Sequence, residues 1–157
     1  MKHRQDIENP ILDKACGGNH AVKIYFDSPF SIATEFAQVN ILLMKNKKVR
    51  AIIEIEETRN NPVRIFGKAF AAHFARYFFN PSLKEPIEYR DILFIQIIVK
   101  DTMTNNKLKQ FENIKEVINQ NLRTYKGSIK EYEMIIGTPD IFEKENGEGI
   151  EKLKKLI

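Results

Sequence analysis

Tryptophan is absent and cysteine occurs once, as Cys16. A single thiol excludes an intramolecular disulfide framework and a multi-cysteine zinc site. With no signal-peptide pattern at the start, it sets the expectation of a cytoplasmic location. Long apolar runs are missing too. The strongest, Ile92–Val99, is far shorter than a bilayer requires and is interrupted by Gln96, so no membrane partner is expected. Glycine (7) and proline (6) are sparse. No repeat, low-complexity block or linker stands out, and residues 1–157 are read as one domain. No glycine-rich nucleotide loop and no Ser/His/Asp ordering is found.

What is present is a globular balance, 43% hydrophobic and 29% charged, which excludes wholesale disorder. Eleven phenylalanines must share the core with isoleucine. The net charge of +4, with a pI near 9.1, permits a nucleic-acid partner without requiring one.

Periodicity and punctuation predict the elements. Residues 5–15 read as a short helix, 16–19 as a glycine turn, and 20–26 as a strand. Asp27 or Ser28 would cap a helix over about 29–38 that carries Glu35. Runs 39–44 and 49–57 form a hairpin. Asn61 and Pro62 open a helix expected to reach about Phe79, with Val63, Phe66, Phe70, Phe74 and Tyr77 inward and Arg64, Lys68 and Arg76 on another side. A loop over 80–89 precedes a buried strand, 91–100. A helix over 105–125 buries Leu108, Phe111, Ile114, Val117, Ile118 and Leu122. A strand at 129–137 and a charged helical end from about 141 complete an α/β domain, a mixed β-sheet flanked by helices.

The informative segment is Ile53-Glu54-Ile55-Glu56. Side chains two apart on a strand share a face, so Glu54 and Glu56 point the same way. Adjacent carboxylates repel unless a cation lies between them, and oxygen ligands of this kind suit Mg²⁺ or Mn²⁺. Taken alone, the pair reads first as the acidic, solvent-facing side of a half-exposed strand, and that reading outweighs a metal site. Register bears on the choice. A three-residue loop, Asn46-Lys47-Lys48, sets Asn40 opposite Glu54 on the same face, with Glu35 near the same end of the sheet. A two-residue loop turns Asn40 to the other face. Both registers are open at the level of sequence.

A helix with Glu35, then Asn40-Ile41-Leu42-Leu43, then Ile53-Glu54-Ile55-Glu56, then a helix, resembles the PD-(D/E)XK nuclease superfamily, which has the restriction-endonuclease-like fold. The stretch Glu54 to Glu57 with Pro62, Gly67-Lys68 and Tyr77-Phe78 is most similar to type II restriction endonucleases. In that family an Asp begins one strand and a D/E-x-K pair sits on the next. Here Asn40 stands for the Asp and Glu56 for the Lys. The resemblance implies a Mg²⁺- or Mn²⁺-dependent endonuclease acting on double-stranded DNA. Its metal ligands would be Glu35, Asn40, Glu54 and Glu56, and its catalytic groups Glu54, Glu56 and a displaced lysine, Lys68. A homodimer would match a palindromic duplex site, and a companion methyltransferase would accompany a restriction role. Arg59, Arg64 and Arg76 are candidate DNA-phosphate contacts. Each basic residue also reads as ordinary surface charge, and Lys68 is balanced between the two. The alternative function is a catalytically inactive nuclease-fold protein serving as a DNA-binding or assembly subunit.

Overall fold

The computed structural model describes residues 14–26, 35–56, 61–79, 85–139, 151 and 155. The expected helix before residue 14, the caps at Asp27 and Ser28, Glu57, Arg59, and most of the charged end lie outside them.

Nine elements follow in order. They are β1 (Lys14–Tyr25), β2 (Glu35–Lys45), β3 (Lys48–Glu56), α1 (Pro62–Phe74), β4 (Tyr77–Phe79), β5 (Ile87–Glu88), β6 (Ile92–Val99), α2 (Asn105–Thr124) and β7 (Ile129–Gly137). The strands make one mixed sheet in the order β5-β4-β1-β2-β3-β6-β7. The first three strands run as an antiparallel meander. The next two pairings, β3 with β6 and β6 with β7, are parallel. Parallel neighbours need crossovers, and α1 and α2 supply them. The α/β class expected from sequence is thus the one observed.

Both faces of the central strands are buried. On one, Leu42, Ile52, Phe94 and Ile98 pack with Ile65, Ala69 and Ala72 of α1 and with Phe111, Ile114 and Ile118 of α2. On the other, Ile41, Leu43, Ala51, Ile53, Ile95, Ile97 and Ile135 form a second apolar cluster. At roughly 25 cal/mol per Å² of apolar surface removed from water, these two clusters supply the main drive for folding.

Several local expectations are corrected. Cys16-Gly17-Gly18-Asn19 is not a turn but part of β1. Gly17 pairs with Ile41 and Val22 with Val39, so β1 carries extra residues there as a bulge. Lys14 and Ala15 are strand rather than helix end. Glu35, Phe36, Ala37 and Gln38 are also strand. Their pairing with Tyr25, Ile24 and Lys23 outweighs the helical spacing of Phe36 and Ala37.

Helix α1 starts as expected, with the Asn61 side chain accepting from the Val63 N–H at 2.9 Å and Pro62 in the first turn. It ends at Phe74, five residues early. The Arg76 N–H donates to the Tyr25 carbonyl at 2.8 Å, and Phe78 is fully buried in the sheet as part of β4. Sheet pairing of the aromatic triplet wins over continued helix. The inward stripe also differs. Val63 is 75% exposed and Phe74 43%, while Ile65, Ala69 and Ala72 face the sheet. Small side chains let the helix axis come close. In α2, Leu108 and Val117 are likewise exposed, although Phe111, Ile114, Ile118 and Leu122 are buried as expected. Part of the expected 80–89 loop is strand β5, paired with β4.

Candidate functional site

The β2–β3 turn settles the register by an unexpected route. Asn46 and Lys47 have φ of 52° and 60°, and Lys45 pairs with Lys48, so the loop has two residues, not three. Positive φ at both central positions is the type I′ geometry whose twist matches a hairpin. That loop alone would turn Asn40 away from the Glu54 face. A bulge corrects it. Met44 pairs with Val49 but Leu43 pairs with Ala51, leaving Arg50 extra. Beyond the bulge, Leu42 pairs with Ile52 and Ile41 with Ile53, which restores the register of the three-residue expectation.

The ladder between β2 and β3 stops at Ile41 and Ile53. Past this point β2 stays paired with β1, and no ladder pair joins Gln38–Asn40 to Glu54–Glu56, a break in the ladder here called the notch. Side chains take over the backbone groups there. The Asn40 N–H donates to Glu54 Oε1 at 3.0 Å. Asn40 Oδ1 accepts from the Ile55 N–H at 2.9 Å. Lys68 Nζ, arriving from α1, donates to the Gln38 carbonyl at 2.6 Å and lies 3.3 Å from Glu54 Oε2. One turn earlier on the same helix, Arg64 Nε lies 3.1 Å from Glu56 Oε2. Spacing of four residues puts the two cations on one side of α1, and α1 runs back over β3, so each meets one carboxylate.

The carboxylates are not on a solvated strand face. Glu54 is 1% exposed and Glu56 4%. Burial pushes the Glu54 carboxyl up to about 7, with Lys68 and the Asn40 N–H pulling against that rise and Glu56 adding to it. Glu56 Oε1 is buried with no hydrogen-bond partner among the described residues. An orphaned carboxylate oxygen is costly in a protein interior and marks a place where a donor or cation is wanted.

Gln96 completes the surroundings. It is the register partner of Glu54 on β6 and is fully buried. Its Nε2 donates to the Ile65 carbonyl of α1 at 3.1 Å, and its Oε1 accepts from the Tyr132 hydroxyl at 2.7 Å. In the sequence Gln96 stands only as a break in an apolar run. That isolated amide in a strand otherwise buried on both faces was the available signal.

The structure brings together Asn40, Glu54, Glu56, Lys68 and Arg64. It does not bring Glu35. That residue is on β2, five residues before Asn40 and so roughly 16 Å along the strand at about 3.3 Å per residue. It pairs instead with Lys23 at 2.7 Å, which holds its carboxyl below the usual range. Arg76 is also remote. It follows the end of α1, about 18 Å from Arg64 at about 1.5 Å per residue. Asn40 also brackets β3, its Oδ1 accepting from the Ile55 N–H. Among the described residues no group of three or more His, Cys, Asp or Glu is arranged to hold a metal ion. His73 is a packed residue, 1% exposed, with its ring nitrogens meeting the Tyr125 carbonyl and the Ile129 N–H. Searches against family models, curated proteins and solved structures find no match for this chain.

Proposed function

We propose that the chain is a divalent-metal-dependent endonuclease of restriction type acting on double-stranded DNA, with Glu54 and Glu56 on β3 and Lys68 on α1 as its working residues. The observation that carries this reading is the meeting of Lys68 and Glu54 at 3.3 Å in the notch. A lysine missing from the strand motif is supplied by the helix to the first glutamate. Two further facts support it. A parallel strand, β6, follows α1 and lies beside β3. In addition, a buried carboxylate oxygen of Glu56 has no hydrogen-bond partner among the described residues.

Glu54 and Glu56 fit a hard cation as oxygen donors, and Mg²⁺ ordinarily completes its shell with water and substrate phosphate. When bound, such an ion lowers the pKa of water and polarises the phosphoryl oxygen. The chain's own residues do the rest. Glu56 Oε1, with no donor among the described residues, would be the acceptor for a proton from the attacking water. Lys68 neutralises charge growing on the phosphate oxygens. Arg64, with its side chain 57% exposed, can exchange Glu56 for a DNA phosphate at the N-terminal end of α1, which itself favours anions. A two-fold pair of chains would present one such site to each strand of a palindrome.

A second reading, a catalytically silent nuclease-fold subunit, is favoured by Asn40, a neutral residue where the resemblance has an Asp. Plasmid nicking with Mn²⁺ and with Mg²⁺, run beside Glu54→Ala, tests the first reading. It expects nicks in the wild type and none in the variant. Asn40→Asp separates the two readings. Added charge at that position should raise metal affinity and cleavage about tenfold or more if the site is catalytic. Salt-sensitive DNA binding with no cleavage in either protein would select the silent subunit.

A further inference from the structure

Resting on that reading of the notch, we infer that Gln96 and Tyr132 are positioning residues, a buried polar relay that fixes helix α1 so that Lys68 and Arg64 sit over Glu54 and Glu56.

A primary amide at a fully buried strand position is expensive, and leucine or methionine would fill the same space with no polar demand. The amide's bonds show what it does there. The Ile65 carbonyl can only accept, so the amide nitrogen must face it, and the oxygen is left for a donor. The Tyr132 hydroxyl is that donor, at 2.7 Å. Tyr132 is itself 4% exposed and stacks on Phe94 with ring centroids 6.1 Å apart, so the hydroxyl has little freedom. A carbonyl oxygen has two lone pairs, so Ile65 can accept this bond and still serve the helix ladder. The relay therefore runs from β7 through β6 to α1.

Its attachment point gives it leverage on the site. Ile65 directly follows Arg64 and precedes Lys68 by three residues. At about 1.5 Å of rise and 100° of turn per residue, a slip or roll of α1 by even part of a residue carries the ammonium away from its 3.3 Å contact. Apolar packing of Ile65, Ala69 and Ala72 holds the helix on the sheet but has no direction. A hydrogen bond does have one, and it links the helix to the strand position beside Glu54.

The test uses the full chain carrying Gln96→Leu, Tyr132→Phe, and both changes together. Expected for Gln96→Leu is a fall in kcat of about 100-fold with KM for plasmid unchanged, the scale of roughly a 1 Å misplacement. Tyr132→Phe, which leaves the Ile65 bond in place, should lose about tenfold or less, and the double variant should match Gln96→Leu because the relay acts as one unit. Unchanged kcat in Gln96→Leu overturns the inference. So does a loss that tracks a general fall in Tm, or one that appears in KM alone. Amide hydrogen exchange supplies a readout independent of cleavage. Opening in Gln96→Leu should be faster in the first turns of α1 and not in β6 or β7. If the wild type cuts nothing, the nuclease reading fails, and this local exchange pattern alone decides the relay. Uniform acceleration, or none, refutes it. Should Gln96→Leu not fold, the same comparison on Tyr132→Phe stands in its place.

Discussion

The two faces of strand β3 are built to different rules. One carries Ala51, Ile53 and Ile55 in a cluster of aliphatic side chains. The other carries Ile52, then Glu54 and Glu56, with Gln96 beside them on β6, all buried. The first face is explained completely by water exclusion and packing. The second is not. Burying charges is often neutral or unfavourable to stability even when they are paired, so a sequence selected for stability alone would have put aliphatic residues there too. The difference sets apart the side that α1 covers, where the proposed site lies. It also shows that α1 does more than cover: Lys68, Arg64 and the Ile65 carbonyl each answer one polar group of the sheet.

The sharpest way to break this comparison is Glu54→Gln. The replacement keeps the volume and an acceptor for the Asn40 N–H, so fold should persist while plasmid cleavage falls to background. Cleavage that survives would return Glu54 to a structural role.

The opposite face should respond in the reverse sense. Ile53→Ala removes a fully buried side chain and should lose about 3 kcal/mol of unfolding free energy, read as a lowered denaturant midpoint. Well below its transition it should cut as fast per folded molecule as the wild type.

A comparable effect should appear with pH. The Glu54 carboxyl is held up to about 7 in the folded chain, against an ordinary value of 4.5. The folded state thus binds this proton more tightly than the unfolded one. The resulting stabilisation is fully present below 4.5 and is lost as pH rises through about 7. Over that span it amounts to about 3 kcal/mol. Glu54→Gln lacks the titration. Variant minus wild-type stability should therefore climb between about pH 5 and 8 in urea melts. A flat difference would mean that the carboxyl is more solvated than its burial implies.

The smallest expected effect is at the exposed ion pair. Glu35→Gln breaks the contact with Lys23 at the surface, where solvent screens it. Neither Tm nor cleavage should move measurably. A large loss of cleavage would restore Glu35 to the site from which its position on β2 removes it.

Much of the scaffold was legible from local pattern. The hairpin arms, the Asn61-Pro62 helix start, the doubly buried strand at Ile92–Val99 and the last strand all follow from periodicity and capping chemistry. The errors of element type share one cause. At 16–19, 35–38 and 77–79, local signals for turn or helix lost to sheet pairing with residues far along the chain. The Glu35 assignment failed with the second of these.

Sequence by itself determined that Glu54 and Glu56 share a face, because alternation along a strand is a local property. It also determined that Lys68 and Arg64 share a side of α1, by helical period. Only the tertiary structure decided that these two sides meet, that Asn40 faces Glu54 through a compensating bulge at Arg50, and that Gln96 ties the helix down. Those facts depend on strand register and on helix docking, which are set by contacts between residues remote in the chain and by the energetics of burying polar groups together.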